Sequence, residues 1–222
     1  MPDAAAIQRL IIAAPAILIA ITFHEVAHGY VAYRLGDQTA KMLGRLTLNP
    51  LAHIDPFGTL IMPALLYWLT NGQFVFGYAK PVPIDPRNFA KPRQGMAISA
   101  AAGPVTNLIL AFASFLVLKI FLVPAAAFSP ESVVEMVLKP LVMILSSSIV
   151  INVVLASFNL IPIPPLDGGR VLTGLLPARH AYSFSKIEPF GFVIVLVLIY
   201  TGIANIIIMP FISFFLRLFG LR

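Results

Sequence analysis

Apolar residues in this chain come in long, nearly unbroken runs, not in the one-sided periodic patterns of soluble helices or the alternation of half-buried strands. Four runs approach or exceed the roughly 20 residues that span a hydrocarbon core: Ile7 to Tyr33, Met96 to Val123, Val133 to Ile161 and Pro189 to Phe219. A further run, Phe57 to Leu69, is too short for a comfortable crossing and predicts a re-entrant or interfacial segment. Between it and the first run, Gly36 to Asp55 carries short apolar stretches around Met42-Leu43 and Leu46-Thr47-Leu48. Gly44 breaks them and Asn49-Pro50 closes them, which predicts a small β-hairpin or extended loop. Pro81, Pro83, Pro86 and Pro92 forbid a regular helix across Gly77 to Arg93. The last run is interrupted by Gly202, Asn205 and Pro210 and predicts a tilted helix or a helical hairpin.

Basic residues decide the number of crossings. If Phe57 to Leu69 does not cross, three loops share one side and hold Arg34, Lys41 and Arg45, then Lys80, Arg87, Lys91 and Arg93, then Arg170, Arg179 and Lys186. The opposite loop holds Glu131 and Glu135, with Lys119 and Lys139 at its edges. Positive-inside bias then makes the basic side cytoplasmic; a crossing by the short run would flip Arg170 outward and blur that bias. In the hairpin reading of the C-terminal run, Arg217 and Arg222 join the basic side. The predicted fold is an all-α polytopic membrane protein, one membrane-embedded domain over residues 1–222. It has a three-helix core over about 7–175 and a C-terminal helical region over about 189–219.

Composition agrees, with 59% hydrophobic and 11% charged residues in 222. The net charge of +6 reads as loop asymmetry. No basic run with interleaved aromatics is present, so nucleic acid is not an expected partner. No small-residue cleavage site precedes the first histidines, so the opening run is expected to be kept as an anchor. Without cysteine there is no thiolate ligand, and His, Asp and Glu must hold any metal.

The chemistry concentrates at the end of the first run, in Phe23-His24-Glu25-Val26-Ala27-His28-Gly29. Charged groups in lipid cost about 2.5–3.5 kcal/mol each at a helix centre on insertion scales. Positions four apart share a helix face, so His24 and His28 can grip one ion. Glu25, adjacent in sequence, can serve as general base toward a water. This is the H-E-x-x-H logic of zinc hydrolases, and it implies one Zn²⁺ per chain. Catalytic zinc takes three protein ligands, so a third must come from elsewhere. Asp167, at a break between a long apolar run and Gly168-Gly169, is one candidate, although alone it also reads as a helix cap or turn aspartate. His53 and Asp55 are rivals on the same predicted side, with His53 better suited to a loop-fixing hydrogen bond. His180 reads as a loop histidine. Gly103-Pro104 and Asn107 suit helix packing and a polar contact near the site.

HEVAH, Gly103-Pro104-x-x-Asn107, and Asn159-x-x-Pro162 followed by Leu166-Asp167-Gly168 together resemble the site-2 protease family of intramembrane zinc metalloproteases, over about residues 18 to 175. The block Asn49-Pro50-Leu51-Ala52-His53-Ile54-Asp55-Pro56 resembles a compact bacterial or archaeal branch. The resemblance implies His24 and His28 as histidine ligands, Glu25 as base, Asp167 as carboxylate ligand and Asn159 as a polar residue near the site. It implies hydrolysis of peptide bonds in transmembrane segments, with a membrane-protein substrate and the lipid bilayer as partners and a prokaryotic cell membrane as location. The Gly36 to Thr47 segment is then expected to hold an unwound substrate by edge pairing. The alternative of another class is a membrane zinc-binding protein without peptidase activity, a transporter or an inactive relative. Intact Glu25 argues against an inactive relative, and the sparse polar residues of the later helices argue against a transport path.

Overall fold

In lipid, every backbone N–H and C=O must find its partner inside its own segment, so apolar runs of this length form helices. The computed structural model describes residues 4–69 and 77–221, and among these there is no strand. Arg222 lies outside the described residues. The principal helices are α1 (Ala4–Arg34), α2 (Pro56–Leu69), α3 (Pro92–Phe128), α4 (Glu131–Asn159), α5 (Asp167–Leu175), α6 (Ala178–Ser185), α7 (Glu188–Tyr200) and α8 (Ile203–Leu218). Among the described residues, three helices are long and apolar enough to cross a membrane: Ile11–Arg34 within α1, then α3 and α4. The chain is a multi-pass membrane protein. The short run lies in the helix α2, an apolar helix below spanning length.

Packing inverts the soluble pattern. Ala16, Ala20, Ala97, Ala100, Ala111 and Ala156 are buried, while Ile109, Phe112 and Phe121 face outward. Small residues let helix backbones approach closely where lipid offers no hydrophobic drive to associate, and large apolar side chains belong to the lipid face. α3 is the hub, packed on α1, α4 and α5.

Two expectations are corrected. The predicted β-hairpin in Gly36 to Asp55 is absent: Thr39–Met42 is a single helical turn, started by Asp37, whose carboxylate accepts from Thr39 N at 3.0 Å. Gly44, at φ 65°, reverses the chain after it. Local side-chain bonds thus displace strand pairing. The Gly36 to Thr47 segment therefore offers no extended edge along its first half. The C-terminal run is two helices, broken at Gly202 with φ 76°. α8 starts with Ala204 and Ile208 against Ile161, and Phe219 at its far end packs on Ala111, Ile149 and Val153. It therefore descends antiparallel to α4. A Cβ on Gly220 would lie 3.9 Å from Lys119 Cε, which puts the Arg217 end at the opposite side from Asp167. Burial against α3 and α4 outweighs the charge preference that favoured the basic side.

A strap over residues 77–91, without regular structure except for a 3-10 turn at Pro86–Asn88, crosses the end of α1. Tyr78 N donates to Gly58 O, Lys80 N to His53 O and Arg45 Nη2 to Lys80 O. Asp37, fully buried, is its fastener and accepts from Asp85 N and Asn88 Nδ2, each at 2.8 Å. Burial pushes its carboxyl up, but the Thr39, Asn88 and Asp85 donors outweigh that and hold it below its ordinary value. Asp37→Ala is expected to loosen the strap, at about 1.5–3 kcal/mol for each bond to a charged group. Limited proteolysis within residues 77–91 measures this. In the unmodified protein the protection holds above the ordinary carboxylate pKa and disappears as pH falls through Asp37's own lower value.

Candidate metal centre

Helical spacing brings His24 and His28 onto one face of α1, with ring centroids 4.5 Å apart and edge to face. Asp167 reaches them from the first turn of α5, where the helix dipole favours a carboxylate. The two glycines after it make this turn possible, because a Cβ on Gly169 would lie 2.7 Å from Pro164 Cα and one on Gly168 2.5 Å from Ile161 O. The series of turns before α5 can therefore fold tightly onto the helix and turn Asp167 inward. His24, His28 and Asp167 are 8%, 8% and 6% exposed.

The proton positions leave this cluster able to accept a cation. His28 Nδ1 lies 2.8 Å from Ser99 O, which can only accept, so Nδ1 carries the proton. His24 Nδ1 lies 2.5 Å from Asn107 Oδ1. The Asn107 amide nitrogen is committed elsewhere, donating to Ala20 O at 3.3 Å and Asn152 Oδ1 at 2.8 Å. Both Nε2 atoms are therefore bare lone pairs. They stand 3.0 Å apart, each 3.2 Å from Asp167 Oδ2, itself a buried atom without a hydrogen-bond partner. Three converging lone pairs repel one another unless a cation lies among them. Zinc with bonds of about 2.0–2.1 Å in a tetrahedron spaces its ligand atoms about 3.3 Å apart, close to this triangle. The donor set of two imidazoles and one carboxylate also suits that metal.

Gly103 on α3 is the floor beneath the rings. A Cβ there would lie 2.5 Å from His28 Cε1 and 2.6 Å from His24 Cε1, and closer still to His28 Nε2. The Gly103-Pro104-x-x-Asn107 sequence thus does two things: its glycine leaves room for the imidazoles, and its asparagine, one helical turn on, accepts from one of them. Glu25 is half-buried, and its Oε2 accepts from Val82 N in the strap at 2.8 Å. Between Pro81 and Pro83, that N–H is the one backbone donor in its tripeptide.

The remaining candidates lie elsewhere. His53 is buried and holds its loop through a 2.8 Å bond between Nε2 and Thr47 O. Asp55 caps α2 by accepting from Gly58 N at 2.6 Å. Asn159 turns its amide back to Leu155 O, within its own helix. His180 is exposed on α6, a helix where a loop was expected. Sequence reasoning passed over Ser99, Asn152 and Val82. Asn152 did carry a signal, a fully buried amide inside an apolar run. Val82 acts through its backbone N–H, and Ser99 orients the ring through its backbone carbonyl while its hydroxyl donates to His28 O at 2.9 Å; no residue type announces the two backbone contacts.

A family model described as peptidase family M50 matches residues 12–202. YwhC of Bacillus subtilis is 40% identical over 201 residues, covering 89% of this chain and 84% of that protein. Rip2 of Mycolicibacterium smegmatis is 29% identical over 188 residues, covering 85% of this chain and 66% of that protein. The zinc metalloprotease MJ0392 of Methanocaldococcus jannaschii is 24% identical over 166 residues, covering 75% of this chain and 34% of that protein. No solved structure matches. A family match spanning most of the chain and a relative of this similarity over most of its length lead to one conclusion: the chain belongs to peptidase family M50, the site-2 protease family that its motifs resemble.

Proposed function

We propose that this family M50 peptidase is a zinc-dependent intramembrane endopeptidase that hydrolyses peptide bonds in transmembrane segments of membrane proteins. His24, His28 and Asp167 hold one zinc ion, and Glu25 is the general base. The observation that carries this reading is the buried triangle of unpaired lone pairs contributed by the crossing helix α1 and the short helix α5. His28 and His24 lie six and ten residues before Arg34, about 9 and 15 Å along the helix at 1.5 Å per residue. Against a hydrocarbon core of about 30 Å, that distance supports access to a membrane-embedded peptide bond. The positive-inside rule favours the basic side, and with it the site, facing the cytoplasm, and the likeness to bacterial and archaeal relatives favours a prokaryotic cell membrane.

A bound zinc ion supplies Lewis acidity that makes water a nucleophile near neutral pH and polarises the peptide carbonyl. Glu25 does the proton work. The Val82 N–H holds Oε2, which leaves Oε1 to take a proton from the attacking water and return it to the leaving amine. Ser99 O and Asn107 Oδ1 hold the two rings in the tautomer that keeps Nε2 free. A substrate helix hides its carbonyls in its own hydrogen bonds and must unwind locally before it can react.

The test is purification in detergent, zinc measured per chain, and incubation with a panel of single-span proteins, with and without a chelator. The expected result is near-stoichiometric zinc, cuts inside the spans, and activity lost on chelation and restored by added zinc. Cleavage indifferent to the chelator, or confined to soluble loops, overturns the reading. Asp167→Ala is expected to weaken zinc affinity by more than the roughly 10–100-fold typical of losing an outer-shell partner. Undiminished zinc in that variant removes Asp167 from the ligand set.

A further inference from the structure

Two imidazoles in this site owe their tautomer to different kinds of group. His28 is set by a backbone carbonyl, Ser99 O, which no substitution removes. His24 is set by a side chain, and an asparagine amide can turn over and present a donor where it presented an acceptor. Resting on the metal reading above, we propose that Asn152 on α4 is a positioning residue that fixes the Asn107 amide and, through it, keeps the proton of His24 on Nδ1 and its Nε2 free for the metal.

The hydrogen bonds between them admit one direction. Asn152 Nδ2 lies 2.9 Å from Ser148 O, a carbonyl that can only accept, so this end of the amide donates. Asn152 Oδ1 then faces Asn107 and accepts from its Nδ2 at 2.8 Å. Asn107 Oδ1 is left for His24 Nδ1, which must donate. Reversing Asn152 sets acceptor against acceptor at Ser148 O, and reversing Asn107 does so at Asn152 Oδ1 and Ala20 O. Ala20 O supports the same orientation of Asn107 from 3.3 Å, a longer contact than the bond from Asn152. Asn107 and Asn152 are both 0% exposed, so no water replaces a lost partner at low cost. Without Asn152, only the longer contact to Ala20 O opposes rotation of the Asn107 amide into a donor toward His24 Nδ1. The proton of His24 then moves to Nε2, the atom the metal needs.

Zinc dissociation constants, by competition with a chromophoric chelator, are to be measured for the full chain, Asn152→Leu, Asn107→Leu and the double variant. Leucine matches asparagine in shape and removes the relay. Asn152→Leu is expected to weaken zinc binding by about 10–100-fold, and the double variant is expected to be no weaker than Asn107→Leu. A purely structural role for Asn152 makes the two effects multiply, and that result overturns the proposal, as does binding by Asn152→Leu within twofold of the unmodified protein. Asn152→Asp, whose protonated carboxyl keeps an acceptor toward Asn107 and a donor toward Ser148, is expected to restore binding. Histidine ¹⁵N spectra of the unmodified, metal-free protein at alkaline pH supply a measurement that depends on no variant. Both histidines are expected as Nδ1–H, and His24 found as Nε2–H overturns the assignment outright. Absence of zinc binding by the unmodified protein, with His24 still Nδ1–H, instead sinks the metal reading.

Discussion

Glu25→Gln is expected to abolish measurable cleavage while leaving zinc in place. Glutamine has the shape of glutamate, and its Oε1 can accept from Val82 N as the carboxylate does, so the strap stays seated over α1. What changes is the ability to take a proton. General acid–base catalysis contributes roughly 10²–10⁴-fold, which is about 3–5 kcal/mol of barrier at 1.36 kcal/mol per tenfold. Metal content separates this result from a damaged site: the histidines and Asp167 are untouched, so zinc per chain is expected to equal that of the unmodified protein. Single-turnover cleavage of a detergent-solubilised span measures the rate. Equal rates in the two proteins would remove Glu25 from the chemistry and require another group to take the proton.

What the sequence disclosed and what it hid divide along physical lines. The four-residue spacing of His24 and His28 is legible because a helix imposes it locally, and the crossing helices are legible because lipid thickness sets their length. Loop charge gave the parity that brings α5 back to the same end as His28. Asp167 lies far away in sequence, so local pattern alone left it between ligand and helix cap, and only the fold brings its Oδ2 to 3.2 Å from both rings. The β-hairpin was misread because short apolar stretches do not distinguish a strand from a loop held by side chains, and here Asp37 and His53 do the holding. Arg217 was misplaced because the C-terminal charges were weighed without the packing of α8 on α4. The partners that orient the site, Ser99 O and Val82 N, are backbone atoms and leave no trace in composition.

Gly103 shows how sharply the site depends on a missing side chain. Gly103→Ala adds one methyl group to a helix interior, a change that on an open helix face stabilises by about 1 kcal/mol through helix propensity. Here that carbon would lie 2.5 Å from His28 Cε1 and 2.6 Å from His24 Cε1, where carbon atoms normally rest at about 3.5–4.0 Å. The rings must retreat by about 1 Å, whereas a zinc ligand tolerates about 0.2 Å. The mismatch decides the outcome: zinc binding is expected to collapse and cleavage with it, while overpacking destabilises the helices by only about 1–3 kcal/mol. Far-ultraviolet circular dichroism beside zinc content distinguishes a lost site from a lost fold, and Ile109→Ala, on the outward face of the same helix, is the matched control, expected to keep its zinc. Full zinc occupancy in Gly103→Ala would mean that the imidazoles do not converge above this glycine, and the metal centre described here would have to be rebuilt from different atoms.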